Sequence, residues 1–194
     1  MDNLPYNKNL IGGFIAIGAE NIVYYYNNNK EVIKFPLIIS LRYSWDSEKY
    51  CNELKNGYEI LKNNLPQSIN DSRIYFYKSG GKTKYVVIEP FIDGQALTKS
   101  DLEDDLVKKQ FLEIIATKNR LETKEYLFLD IFGVWGLFFI GKIKVPNILV
   151  EKNTKKLFLI DIGTANLKDS RLIISMLLKF AHWRQNKLLE FYLN

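Results

Sequence analysis

The sequence predicts an α+β fold: an antiparallel sheet with one helix, followed by a smaller and mainly helical part. Residues 12–36 are apolar stretches separated by polar turns, which is typical of strands. Residues 47–64 carry apolar side chains at helical spacing, and residues 171–193 do the same after a strand pair near 147–161. With 194 residues and 47% hydrophobic side chains, the chain is long and apolar enough to bury a core.

Three antiparallel strands are predicted at the N-terminus. They cover Phe14–Ile17, Ile22–Tyr26 and Glu31–Phe35. The connecting turns fall at residues 18–21 and 27–29, where Gly and Asn are frequent.

A helix is predicted to begin at a cap residue, Asp46 or Ser47, and to end before Pro66. Its apolar positions recur at helical spacing: Tyr50, Leu54, Tyr58, Leu61 and Leu65. Two further strands, 74–77 and 85–88, flank a Gly-Gly turn and predict a hairpin.

The C-terminal part predicts a core helix over 101–121 and one or two short amphipathic helices over 171–193. We expect Trp183 and Phe191 to be core or lobe-closing residues. The solvated face of the same segment is predicted to carry Lys179, Arg184 and Lys187. The apolar stretch 126–140 is shorter than the roughly 20 residues of a membrane-spanning helix and is predicted to be buried protein, with a membrane-associated segment as the alternative.

Composition excludes several classes of site. Cys51 is the single cysteine, which rules out an internal disulfide and a cysteine-rich zinc site. His182 is the single histidine, so multi-histidine metal sites have no support. The net charge of +5 is scattered along the chain, which does not predict a nucleic-acid surface. The N-terminus lacks the pattern of a signal peptide, and we expect a cytoplasmic location.

The segment from Asn147 to Gly163 resembles the metal-binding hairpin of the protein-kinase fold. Asn147-Ile148-Leu149-Val150 is followed by a charged turn and by an apolar strand that ends in Asp161-Ile162-Gly163. In kinases the catalytic-loop Asn and the Asp of D-F-G hold the magnesium ions at the ATP phosphates. The resemblance implies that Asn147 and Asp161 bind Mg²⁺ and that ATP is the cofactor.

The N-terminal strands carry further parts of this resemblance. Glu31-Val32-Ile33-Lys34 resembles the V-A-I-K strand, which implies that Lys34 contacts the phosphates. In the preceding turn Gly18 and Val23 match two positions of the glycine-rich pattern, so both are predicted to line the nucleotide. The helix residue Glu53 is predicted to orient Lys34, with Glu59 as the alternative.

Residues 89–97 resemble a kinase hinge, in which a strand ends in Glu and a Gly precedes the second lobe. The resemblance implies that Glu89 and Phe91 contact the nucleotide, that Phe91 offers its backbone to adenine, and that Ile88 is the gatekeeper. It divides the chain into an N-lobe, 1–93, and a truncated C-lobe, 94–194.

The loop before Asn147 departs from the kinase pattern. Laid on H-R-D-L-K-P-E-N, residues 140–147 retain the loop lysine as Lys144, which the resemblance assigns to the moving phosphoryl group. The catalytic Asp is replaced by Lys142, which cannot accept a proton while it is charged. Asp130 is the nearest upstream carboxylate, and the apolar residues between it and the loop argue against its reaching the site.

The order of these segments is similar to that of the small bacterial PhoP-regulatory-network kinase-like family. The sequence therefore predicts an ATP–Mg²⁺-binding kinase-like protein, leaning to an atypical phosphotransferase with an unknown acceptor or protein partner. Its alternative is a pseudokinase that acts as a nucleotide-responsive regulatory module. Nucleotidyl transfer is a third hypothesis. Neither a nucleic-acid partner nor a membrane span is expected.

Overall fold

The computed structural model describes residues 4–18, 21–37, 47–133, 144–160, 164–168 and 172–194. The chain divides into two compact units. The first contains Met1–Asn56 and Asn70–Phe91, and the second contains Gly57–Ile69 and Ile92–Asn194.

The first unit is built on a five-stranded antiparallel sheet in the order β1-β2-β3-β5-β4. Its strands are β1 (Ile11–Ile17), β2 (Asn21–Tyr26), β3 (Glu31–Pro36), β4 (Arg73–Ser79) and β5 (Lys82–Pro90). Helix α1 covers Ser47–Asn64, and its residues are shared between the two units.

Both tight turns of this sheet have the residues that their backbone requires. Asn27, Asn28 and Asn29 join β2 to β3 with φ of 50°, 54° and 63°. Gly80 and Gly81 join β4 to β5 with φ of 59° and 75°. Asn and Gly tolerate this left-handed region better than other residues, so the sequence fixes both turns locally.

The two faces of the sheet pack differently. One face carries a core cluster of Tyr26, Ile33, Val86 and Ile88. Side chains alternate along a strand, so Lys34 and Val87, which pair across β3 and β5, lie on the opposite face.

The second unit contains two small sheets and two helices among the residues described. One sheet has the order β6-β8-β9, and the other pairs β7 with β10. The elements are β6 (Gly94–Leu97), α2 (Asp105–Lys124), β7 (Leu127–Leu129), β8 (Val145–Glu151), β9 (Leu157–Leu159), β10 (Thr164–Asn166) and α3 (Leu172–Leu193).

Helix α2 begins at a conventional cap. The carboxylate of Asp104 accepts hydrogen bonds from the backbone N–H groups of Leu106 and Val107, at 2.9 and 3.2 Å. These are donors that the first helical turn cannot satisfy internally. The apolar stripe of α2 buries Phe111 and Ile114 as its periodicity predicts.

Helix α3 is continuous, and the prediction for its faces is confirmed for Lys179 and Lys187, which are exposed, but wrong for the other residues named. Trp183 and Phe191 are 57% and 43% exposed, whereas Arg184 is buried. The reason is that residues 172–193 are apolar on most sides, so periodicity alone does not identify the face that packs inward.

The predicted α+β class is confirmed, and its N-terminal sheet, helices and smaller second part are consistent with a reduced kinase-like fold. Within the described part of the chain, every helix is too short or too polar to cross a bilayer.

Candidate active site

The hairpin predicted around Asn147 is present as β8 and β9. Ile148 pairs with Leu159, and Val150 pairs with Leu157. The N–H of Ile160 then donates to the carbonyl of Asn147 at 3.1 Å. The ladder therefore places Ile160 beside Asn147. Asp161 is the next residue in the chain and lies outside the described residues.

Asn147 is joined to a segment that is distant in sequence. Its side-chain Nδ2 donates to the backbone carbonyl of Asp130 at 2.6 Å. Asp130 follows directly on β7 and is buried. The segment of Asp130 meets this loop despite the intervening apolar residues, because the chain returns alongside residues 130–133 when it enters β8. The contact is made by the main-chain carbonyl, so the expectation for the Asp130 carboxylate stays a prediction.

Gly133 makes that return possible. Its φ is 59°, and a Cβ added there would lie 3.0 Å from Cγ of Pro146 and 3.6 Å from Oδ1 of Asn147. A side chain at position 133 would therefore meet both a backbone penalty and a steric conflict. The residue lets two segments approach closely at Asn147.

A second set of charged groups lies in the first unit. Lys34 Nζ is 2.7 Å from Glu89 Oε1, and the two side chains are only 12% and 8% exposed. The hydroxyl of Ser72 donates to the other carboxylate oxygen of Glu89 at 3.0 Å. Glu89 is thus held by a cation from β3 and by a hydroxyl that precedes β4.

The strand register explains how Lys34 and Glu89 meet. Lys34 pairs with Val87, and Glu89 pairs with Val32, so the two charged residues are diagonal neighbours on one face. Val23 pairs with Lys34 across β2 and β3, which places it on the same face.

Glu53, which the sequence assigned to orient Lys34, lies on α1, and its carboxylate is 3.9 Å from Lys49 Nζ. A contact between Glu53 and Lys34 stays a prediction. Gly18 closes the first turn, since its N–H donates to the carbonyl of Asn21 at 2.8 Å. Its role at the phosphates is likewise a prediction.

The hinge prediction changes in two details. Ile88 is wrong as the gatekeeper, because it packs into the core cluster on the face opposite Lys34. The N–H of Phe91 donates to the carbonyl of Lys30 at 3.0 Å, so donation to adenine from this group would require that bond to break. The side chain that alternation places on the Lys34 face is that of Glu89.

Lys144 is exposed and directly precedes β8. Lys142 and Ile140, which align with the missing catalytic Asp and His, lie outside the described residues. The part of the chain that is described contains no group of three or more His, Cys, Asp or Glu residues placed to hold a metal.

The remaining reactive side chains are poor candidates for chemistry. Burial raises the pKa of Cys51 to about 11, so little of its thiol is ionised at neutral pH. His182 Nε2 lies 3.1 Å from Glu122, whose carboxylate is 2.7 Å from the buried Lys118 ammonium. We interpret this triad as a packing element between α2 and α3.

No protein-family model matches the sequence, and no curated protein matches it either. Among solved structures, the chain is similar to the kinase PK-1 of Cydia pomonella granulovirus, with a TM-score of 0.45 and 12% sequence identity. The match covers 80% of this chain and 52% of the viral chain, so this protein spans about half the length of that relative. A likeness at this level says nothing about activity, and membership in the PhoP-regulatory-network family stays a prediction.

Proposed function

We propose that this protein binds ATP with Mg²⁺ and transfers the γ-phosphoryl group to an acceptor hydroxyl, with Asp130 as the general base. The observation that carries the proposal is the 2.6 Å hydrogen bond from Asn147 to the carbonyl of Asp130. In the kinase catalytic loop an Asp that accepts the hydroxyl proton precedes the metal-binding Asn. Asp130 supplies that carboxylate, which the linear alignment had replaced by Lys142.

The donor set at Asn147 fits a hard cation. Its Nδ2 is engaged by Asp130, and its Oδ1 is an oxygen ligand of the type that Mg²⁺ prefers. Asp161 follows the residue whose N–H bonds to Asn147 and supplies a carboxylate. Asn147 and Asp161 would hold Mg²⁺, which would neutralise charge at the β- and γ-phosphates.

The reaction balances with these groups. The acceptor oxygen forms a bond to the γ-phosphorus as the bond from that phosphorus to the β,γ-bridging oxygen breaks. ADP leaves with the electron pair, and the hydroxyl proton passes to the Asp130 carboxylate. Lys34 and Lys144 supply positive charge to the phosphates.

The remaining predicted residues keep supporting roles in this proposal. Glu53 and Glu89 orient Lys34, and the 2.7 Å ion pair between Lys34 and Glu89 supports the role of Glu89. Gly18, Val23 and the Phe91 backbone enclose the nucleotide.

The direct test is Asp130→Asn, assayed by ATP turnover and by intact mass after incubation with ATP and Mg²⁺. This change keeps the size of the side chain and the main-chain carbonyl that Asn147 holds, but it removes the base. We expect transfer to fall by about 10²- to 10⁴-fold while ATP-induced thermal stabilisation is retained. The control is Lys142→Met, which should leave transfer unchanged.

Other outcomes distinguish the alternatives. If ATP stabilises the wild-type protein but gives neither a mass gain nor turnover, a pseudokinase is favoured. The ion pair between Lys34 and Glu89 supports this alternative, because it occupies the lysine that would contact the phosphates. A mass gain of one AMP would indicate nucleotidyl transfer. Full activity in Asp130→Asn would refute the role of Asp130, and no response to ATP and Mg²⁺ would refute nucleotide binding.

A further inference from the structure

Gln185 of helix α3 makes two hydrogen bonds to the backbone on either side of Asp130. Its Nε2 donates to the carbonyl of Leu129 at 2.9 Å, and its Oε1 accepts from the N–H of Ile131 at 3.0 Å. The side chain is fully buried. Both ends of one amide are therefore used on the two peptide groups that flank the proposed base.

This arrangement requires a particular side chain. A buried backbone N–H or carbonyl needs a partner, and strand β7 ends at Leu129, just before this segment. A primary amide carries a donor and an acceptor on one carbon in a fixed planar geometry, which matches the carbonyl of Leu129 and the N–H of Ile131. A carboxylate would satisfy Ile131 alone, and an apolar side chain would satisfy neither group.

We infer that Gln185 is a positioning residue for the proposed transfer reaction, and this inference rests on the proposed function. Gln185 fixes the carbonyl of residue 129 and the N–H of residue 131, while Asn147 fixes the carbonyl of residue 130. Because both peptide planes that flank Asp130 are held, the direction of its Cα–Cβ bond is fixed before substrate arrives. Small misplacements of a catalytic group cost large factors in rate.

Gln185→Met removes both hydrogen bonds at nearly constant volume. We expect kcat for ATP turnover to fall by about 100-fold, with KM for ATP changed by less than about twofold. The matched control is Leu178→Ala, two turns earlier on the same helix, where another fully buried side chain is shortened. It removes buried volume from α3 but leaves both Gln185 hydrogen bonds in place, so its kcat should stay close to that of the wild type under conditions where both variants are folded.

Gln185→Glu gives a pH signature that a purely structural role would not give. In its ionised form the introduced carboxylate would turn an oxygen towards the Leu129 carbonyl, whereas the protonated acid would donate to that carbonyl as the amide does. Burial raises the pKa of such a carboxyl. We therefore expect the ratio of variant kcat to wild-type kcat to rise as the pH falls and the introduced carboxyl is protonated. The ratio is used because the titration of Asp130 affects both enzymes and cancels.

Amide hydrogen exchange at Ile131 measures the hydrogen bond without any reaction. Protection should fall in Gln185→Met and stay near wild type in Leu178→Ala. Unchanged protection, a kcat loss equal in the two variants, or a flat ratio for Gln185→Glu would overturn the inference. A wild-type protein that turns over no ATP would refute the proposed function and the catalytic part of this inference, and the exchange data would then decide the backbone contact alone.

Discussion

Glu89 and Asp130 are held in place by two different kinds of contact, an ion pair with Lys34 and a hydrogen bond from Asn147 to the main chain. In the first unit two side chains of opposite charge meet diagonally across β3 and β5. In the second unit a neutral amide binds a main-chain carbonyl, and the carboxylate follows the path of the backbone. A substitution that alters charge should therefore disrupt the first pair, and one that alters the backbone should disrupt the second.

The largest effect on stability is expected from Lys34→Met. Removing one partner of a buried ion pair leaves the other charge desolvated, and we expect the free energy of unfolding to fall by about 3 to 5 kcal/mol. Urea denaturation measures it. The double variant with Glu89→Leu should recover much of the loss, because it also removes the unpaired buried carboxylate. The recovery is incomplete because Ser72 loses its acceptor on Glu89.

The matched control is Lys78→Met, which removes one partner of an ion pair with Glu48 that is 71% exposed on both sides. Exposed pairs contribute about 0 to 1 kcal/mol, so its effect should be much smaller. Equal losses in the two variants would show that the Lys34–Glu89 contact is not the buried, mutually dependent pair described above.

An intermediate effect is expected from Gly133→Ala, which tests the backbone-held pair. A left-handed φ costs a residue with a Cβ about 1 to 2 kcal/mol, and the contact with Pro146 adds to that cost. Gly80→Ala is the control, because Gly80 has the same φ of 59° but nothing within 4 Å of an added Cβ. Thermal unfolding of both variants isolates the steric part.

The extra loss of stability in Gly133→Ala over Gly80→Ala is attributed to the contact with Pro146. Adding Pro146→Ala to the Gly133→Ala variant should therefore reduce that extra loss. Gly133→Ala should also lower ATP turnover, since it moves the Asp130 segment relative to Asn147. A variant as stable and as active as Gly80→Ala would contradict the close approach of the two segments.

The smallest effect is expected from Tyr192→Phe, next to the second pair. The Tyr192 ring lies 5.4 Å from that of Phe132, and its hydroxyl is buried without a hydrogen-bond partner among the described residues. Burial raises the pKa of Tyr192 to about 12, the larger effect, with a contribution from Asp101. Removing this hydroxyl should be neutral or stabilising by about 1 kcal/mol at pH 7.

The pH dependence of that variant has a defined sign. The folded-state pKa lies above the ordinary value of 10.0, so the native state retains the proton longer than the unfolded state. The resulting stability is present below about pH 10 and is lost as the pH rises to about 12. Chemical denaturation from about pH 8 to about pH 12 should show wild type losing stability relative to Tyr192→Phe, and parallel curves would contradict the burial of this hydroxyl.

Much of the local structure could be predicted from sequence. Asn27–Asn29 and Gly80–Gly81 specify their turns because few other residues tolerate the required φ. Lys34 was correctly placed on β3, because the apolar residues beside it favour a strand. The face of Ile88 was also within reach, since pairing β3 with β5 in register puts Ile33 and Ile88 together and excludes Lys34 from that face.

Asp130 and Gln185 could not be found in this way. Their contacts with Asn147 and with residues 129–131 join positions 17 and 54 to 56 residues apart in sequence. The kinase pattern places its Asp a few residues before the Asn, so the sequence comparison reached Lys142 and not a residue 17 positions upstream. The exposure of Trp183 was unpredictable for a similar reason, since an apolar helix does not reveal which neighbours it will meet.

The sequence by itself determined the strands, turns and helices, the Asn147 hairpin and the position of Lys34, because these depend on backbone preferences and on short-range alternation. The tertiary structure decided which residue meets each of them, the carboxylate of Glu89 at Lys34 and the main-chain carbonyl of Asp130 at Asn147. Asp130 and Glu89 were selected by chain return at Gly133 and by strand register, and these are set by packing between segments that no local pattern relates.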